Sequence, residues 1–252
     1  MGTYLAPASP TEQGAPSAYV QSRPARTDRT TARTAGALLI TATAASLMST
    51  ALFNSVLRAS GYLAWTFTHQ DRVIAGSFFL IVAAFAGAGI AIALYPTLRR
   101  YGQGLAIGSV SFRVMEAVMY LVSAVAVLLL VTLSQDVAAG SVNDAGTLGS
   151  LLRALHDQAS LAGILAFYVG ALLYYSIFFR SRLIPRWLSG WGIIGVVLGL
   201  VAGLLVLFTV TGSMSALQVG LNVPIGVNEM VLAVWLIIRG FSSPEAHSPV
   251  LS

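Results

Sequence analysis

Six stretches of the chain, near Ala35 to Leu57, Val73 to Tyr95, Val110 to Leu133, Gln158 to Phe179, Leu188 to Thr211 and Val219 to Ile238, are apolar and long enough for a helix to cross a bilayer. Nothing else in the sequence limits the fold so sharply. Only 9% of the residues are charged, against about 25% in an ordinary soluble domain. That leaves too little charge to coat a water-facing surface, and a mean hydropathy of +0.80 agrees. The expected fold is all-α, an integral membrane bundle of six transmembrane helices.

Orientation follows from arginine placement, because basic segments stay on the cytoplasmic side. The N-terminal flank holds Arg23, Arg26, Arg29 and Arg33, and the second loop Arg99 and Arg100. The fourth loop holds Arg180, Arg182 and Arg186, and the C-terminal flank Arg239. The alternate loops hold only Arg58, Arg72 and Arg153. This bias places both termini in the cytoplasm and the chain, as a multi-pass protein, in a cytoplasmic (plasma) membrane. All 14 basic residues are arginine, which with abundant Ala and Gly points to a GC-rich bacterial source. A net charge of +5 does not signal nucleic acid, since the arginines sit in short clusters and form no continuous basic face.

Residues 1–33 are rich in Pro, Ser, Thr and Gln and read as a disordered cytoplasmic tail. Residues 34–241 form the six-helix domain and 242–252 a flexible C-terminal tail that carries His247. The first segment holds Thr41, Thr43, Ser46, Ser49, Thr50 and Asn54, and is expected to face other helices more than lipid. In the sixth, Pro224 allows two readings: a helix that starts just after Asn222, or a longer helix kinked at the proline. Gly195, Gly199 and Gly203, and Ala83 with Gly87, recur every fourth residue and predict close helix packing, within the chain rather than across a dimer seam.

With no cysteine, thiol catalysis, disulfides and thiolate metal sites are excluded. Neither a GxSxG nor an HExxH motif is present, and Gly102, Gly104 and Gly108 make no phosphate-cradling loop. His156 beside Asp157 has no zinc-motif spacing, and an acid at a helix start explains Asp157 more simply. No cofactor or metal is expected, and the chain leans away from being an enzyme.

The residues that stand out are ionisable groups inside the apolar segments, where a charge costs about 2.5 to 3.5 kcal/mol at mid-bilayer. Arg113 and Glu116 are three residues apart, so they share a helix face and can pair. Counting about 1.5 Å per residue puts Arg113, Glu116 and Glu229 at one depth. Asn222 lies on nearly the same face of its helix as Glu229, with Gly226 between them, whereas Asn228 points to a different neighbour. Two readings stay open for Arg113, Glu116, Asn222 and Glu229. One is a structural network that fixes helix register. The other is a polar site for a small ligand, an ion or a transferred proton.

Three stretches carry a family resemblance: LYPTLRRYGQGLAIGSVSFRVMEAV from Leu94 to Val118, YYSIFFRSRLIPRWLSGWGIIG from Tyr174 to Gly195, and VPIGVNEMVLAVWLIIRGF from Val223 to Phe241. Together they resemble a bacterial multispanning family known as domain of unknown function 4386, over roughly Thr34 to Phe241. The resemblance implies the topology and no chemistry; the long N-terminal tail looks like an appendage. Three classes of function remain: a small transporter or ligand-binding membrane protein, a non-catalytic accessory subunit with a structural cluster, and, last, an intramembrane enzyme. Membrane lipids are the expected partners, with a small-molecule or ion ligand and self-association as further options.

Overall fold

The computed structural model describes residue 2 and residues 24–59, 61–142, 145–212 and 215–242, without the side chains of 24–28 and 54. Most of the stretch read as a tail, the Asn54 side chain, Asp144, and the C-terminal residues from 243 on, with His247, lie outside the described residues. Seven helices follow in order: α1 Pro24–Leu57, α2 Tyr62–Thr68, α3 Gln70–Leu98, α4 Gln103–Ala138, α5 Ala145–Ser181, α6 Arg186–Leu207 and α7 Ala216–Ile238. All except α2 are long and apolar enough to cross a membrane, one for each expected segment. The protein is an all-helical integral membrane bundle.

Each long helix packs on the next, and α7 closes on α1, so the six form a ring. The closure is tight where the chain's two ends meet. A methyl group added at Gly36 would lie 2.7 Å from the Ala233 carbonyl oxygen, and one added at Gly240 would touch Ala32. The start of α1 and the end of α7 therefore share one face of the bundle, the terminal face. Alternation of the helices brings the loops with Arg99, Arg100, Arg182 and the α6 start at Arg186 to that same face.

Three features differ from the sequence expectation, and a fourth decides between two open readings. First, α1 begins at Pro24, so residues 24–33, read as part of the tail, are helical. Proline is pre-set for the first helical position, and lengthening an existing helix costs little once it is nucleated. Second, the loop after α1 contains α2, which starts behind Gly61 at φ 77° and packs on α4. Arg153 sits over the Tyr62 ring at 5.4 Å, and Trp65 stacks on His69 at 4.8 Å. Third, α5 has 37 residues and a length of about 55 Å, well beyond roughly 30 Å of hydrocarbon. Its first turns, through Arg153, His156 and Asp157, are helical but polar, so hydropathy alone could not find them. Fourth, α7 runs from Ala216 through Pro224 without a break, so the helix does not start just after Asn222 and is the longer of the two read for that proline. Its start is capped by Ser215, whose hydroxyl accepts from the Gln218 amide at 3.1 Å.

In α1 the polar residues divide. Ser49 is buried, yet Thr41 and Thr50 are exposed, so part of the polar set faces outward. Thr41 satisfies its hydroxyl on the Ala37 carbonyl at 3.0 Å, which removes the need for a neighbouring helix.

The core has two apolar clusters. One, nearer the terminal face, gathers Leu39, Ile90, Leu94, Tyr168, Tyr174, Tyr175, Phe178 and Leu236. The other gathers Phe53, Val56, Leu80, Val127 and Leu130. Between them on α1 lie Thr43 and Ser46, on α3 Ala83 and Gly87, and on α4 Arg113, Glu116 and Tyr120. The polar residues thus occupy the seam between two greasy blocks. On α6 the small-residue stripe packs within the chain, as expected. A methyl at Gly199 would overlap the Tyr168 ring of α5, one at Gly203 would lie 2.8 Å from Leu165, and one at Gly195 would lie 3.0 Å from the Ile225 backbone of α7.

Candidate functional site

Arg113 lies ten residues into α4, about 15 Å from the terminal face. Its stem passes between two glycines. A Cβ at Gly170 of α5 would come within 3.2 Å of the Arg113 Cγ, and one at Gly87 of α3 within 3.2 Å of its Nη2. Only residues without side chains leave that passage open. Ser109, one turn earlier, donates to the Gly170 carbonyl at 3.1 Å and pins α4 to α5 beside it.

The guanidinium then meets three partners. Nε donates to the Gly87 carbonyl at 3.2 Å, which can accept beyond its helical bond because it has two lone pairs. Nη1 stands 2.9 Å from Glu116 Oε2, and the cation lies 5.0 Å from the Phe167 ring centroid. With side chains only 3% and 8% exposed, Arg113 and Glu116 form a buried ion pair. The pair is close but obliquely aligned, so Glu116 Oε2 has a charge partner without a well-directed donor.

Glu229 on α7 differs. It lies nine residues before the helix end at Ile238, about 14 Å from the terminal face and level with Arg113. Arg113 and Glu116 both act on it electrostatically, yet among the described residues its carboxylate has no hydrogen bond and no ion pair. It faces a partly open cavity of about 190 Å³, shared with Arg113, Glu116, Tyr120, Thr43 and Ser46. Leu39, Ala42, Ala83, Ile90 and Ile164 supply an apolar wall. The hydroxyls of Thr43, Ser46 and Tyr120 also have no hydrogen-bond partner among the described residues. Ser and Thr in helices usually bond back to a carbonyl one turn earlier, so two that do not, on one cavity wall, are notable.

Asn222 is not among the residues that line the cavity. Its carbonyl oxygen accepts a hydrogen bond from Tyr168 Oη, and its amide donates to the Gln218 carbonyl at 2.8 Å. One turn and a half later, Asn228 accepts from Tyr175 Oη at 2.6 Å and donates to the Leu188 carbonyl at 3.0 Å. Asn228 is fully buried; contrary to the expectation of a different neighbour it meets α5 as Asn222 does, and reaches α6 as well through Leu188. These two Asn–Tyr ties hold α7 against α5 and so fix the register of Glu229. Nothing in the structure fills the space at Gly226, where an added Cβ would meet no atom within 4 Å. Tyr175→Phe is expected to cost about 1–3 kcal/mol, because it strands the Asn228 oxygen in the core. Thermal unfolding in detergent measures this; an unchanged midpoint would mean the tie carries no stability.

The structure thus brings together Arg113, Glu116 and Glu229 and assigns Asn222 to an interhelical tie. Sequence reasoning missed Thr43, Ser46, Tyr120, Phe167 and the two glycines that admit Arg113. Thr43 and Ser46 stood out only as polarity in α1. The aromatic residues carried no signal, since Tyr and Phe are ordinary in apolar helices.

A second polar cluster joins α4 to α5 further from the terminal face. Ser123 Oγ lies 2.6 Å from His156 Nδ1 and 2.8 Å from Ser160 Oγ, and the His156 ring packs edge-on against Phe53. Ser123 is fully buried. The arrangement is a hydrogen-bonded clamp between helices. His156 has Ser123 as its partner, and Asp157 is exposed.

The profile of one protein family, described as Domain of unknown function (DUF4386), matches residues 34–240. No curated protein matches the chain, and no solved structure does.

Proposed function

The chain belongs to the DUF4386 family, and because that family's description carries no activity, we propose a function from the cavity itself: a membrane-embedded small-molecule-binding protein of transporter type. It resides in a bacterial plasma membrane with both ends cytoplasmic, a placement supported by the arginine-rich terminal face. Glu229 carries this reading. An intramembrane carboxylate that only braced the fold would be paired, as Glu116 is with Arg113, whereas Glu229 faces open volume with three unoccupied hydroxyls around it. The location at mid-bundle, where several helices converge, suits a solute site.

The alternative is an accessory subunit with a purely structural cluster. Its support is the completeness of the Arg113 contacts, each of which also braces helices.

Glu229→Gln separates the two. Replacing an unpaired carboxyl group, costly to ionise in a low-dielectric site, by a neutral amide should leave the unfolding midpoint in detergent unchanged or raise it. Glu116→Gln should lower it, since that variant deprives Arg113 of its counter-charge. A fall for Glu229→Gln as large as that for Glu116→Gln would favour structural bracing and overturn the binding reading.

A further inference from the structure

We infer that the cavity takes a small organic ammonium ion, bound against Glu229 in exchange for a proton; this rests on the reading of the cavity as a ligand site and names the class of ligand.

The argument begins with charge. The cavity wall holds one guanidinium and two carboxylates. Arg113 is committed, with Nε on Gly87, Nη1 on Glu116 and its cationic group close to Phe167. No other basic residue lines the cavity; α1 supplies Leu39, Ala42, Thr43, Ser46 and Leu47, and α3 supplies Ala83 and Ile90. One carboxylate, Glu229, is left to be met by a positive charge. An anionic solute would meet two carboxylates and an arginine already engaged, so it is disfavoured.

Size and chemistry narrow the cation. A cavity of about 190 Å³ exceeds the roughly 150 Å³ that admits benzene and far exceeds a bare ion. No group of three His, Asp or Glu able to hold a metal ion assembles among the described residues. An ammonium head has three donors, and the free acceptors are the Glu229 carboxylate and the Thr43, Ser46 and Tyr120 hydroxyls. Leu39, Ala42, Ile90 and Ile164 face a hydrocarbon body. The fitting solute is a primary amine in its protonated form with about one ring or a short alkyl chain.

Exchange follows from competition for the same oxygens. A Glu229 carboxyl group releases its O–H proton to water through the cavity mouth, and the ammonium ion takes its place as counter-charge; no other bond forms or breaks. The groups that face Glu229 are Arg113, Glu116 and Tyr120 from α4 and Tyr168, Tyr174 and Tyr175 from α5. The cavity residues of α1 and α3 contribute no ionisable group.

The test is calorimetric titration of the full chain in lipid nanodiscs with benzylammonium, benzyl alcohol and benzoate as probes. Benzylammonium should bind, and benzoate should not. Its affinity should fall as the pH is lowered, with protons released on binding wherever Glu229 is protonated beforehand, as read from buffers of different ionisation heat. Glu229→Gln should weaken benzylammonium binding by about tenfold or more and abolish the proton release. If benzyl alcohol binds as well as benzylammonium, with no pH dependence, the ammonium class is wrong while a ligand site stands. If no probe binds but a small thiol reagent reaches a cysteine placed at Ser46, the ammonium class again fails and the cavity reading survives. If no probe binds and Ser46→Cys is unreactive, both fail together.

Discussion

Arg113→Met loses about 3–5 kcal/mol of stability, and adding Glu116→Leu restores most of it. The single change removes the cation but leaves the Glu116 carboxylate, with its side chain 8% exposed, facing Glu229 in the same cavity. The buried Glu116 carboxylate, left beside Glu229 without a counter-charge, costs more than the lost contacts to Gly87 and Phe167. Removing both members of the pair exchanges ionic for apolar packing, which is often neutral in a buried site. Urea or thermal unfolding of the two variants in detergent gives the comparison. Equal losses for the single and double variants would mean that the arginine acts through shape and hydrogen bonding, and that its charge is incidental.

Gly199→Leu and Gly195→Leu are the second large effects. At Gly199 the added side chain would overlap the ring of Tyr168, which is buried and tied to Asn222, so it cannot swing away. At Gly195 the obstacle is the backbone of Ile225, just past Pro224, where no rotamer change can help. Overpacking of a filled interface costs about 1–3 kcal/mol and more where backbone must shift. Both variants should separate α6 from its neighbours, lowering the unfolding midpoint and the yield of folded protein. Gly104→Ala, at a site where an added Cβ meets nothing, is the control that should stay near wild type. Stable Gly195→Leu protein would show that α6 packs less closely than described.

Much of this architecture was readable before any coordinates. Six apolar runs of bilayer length become six long helices, because in lipid only a self-bonded helix can carry so much backbone across. The Arg113–Glu116 pair follows from three-residue spacing, and its level with Glu229 from a fixed rise per residue. What escaped was governed by side-chain direction or by polar helix. Residues 145–157 of α5 and the short α2 contain charged, histidine or hydroxyl residues that a hydropathy window treats as loop, yet both helices pack on α4. Asn222 has the right helix face for the cluster, but its oxygen is taken by the Tyr168 hydroxyl. Thr43 and Ser46 were visible as polar, and only the placement of α4 and α5 opposite them turns polarity into a cavity wall. Gly87 read as a packing glycine and Gly170 carried no signal, whereas both make room for an arginine stem.

The absence of cysteine from the chain makes the central claim directly measurable. Single cysteines at Thr43, Ser46 and Ser189 can be exposed to a small, membrane-impermeant methanethiosulfonate cation, which reacts with thiolates in water. The account predicts rapid modification at Ser46 and Thr43, slowed by benzylammonium, and none at fully buried Ser189. Unreactive thiols at both cavity positions, in protein that is folded and labels at a cysteine placed at exposed Ser55, would contradict an open polar cavity at the heart of the bundle.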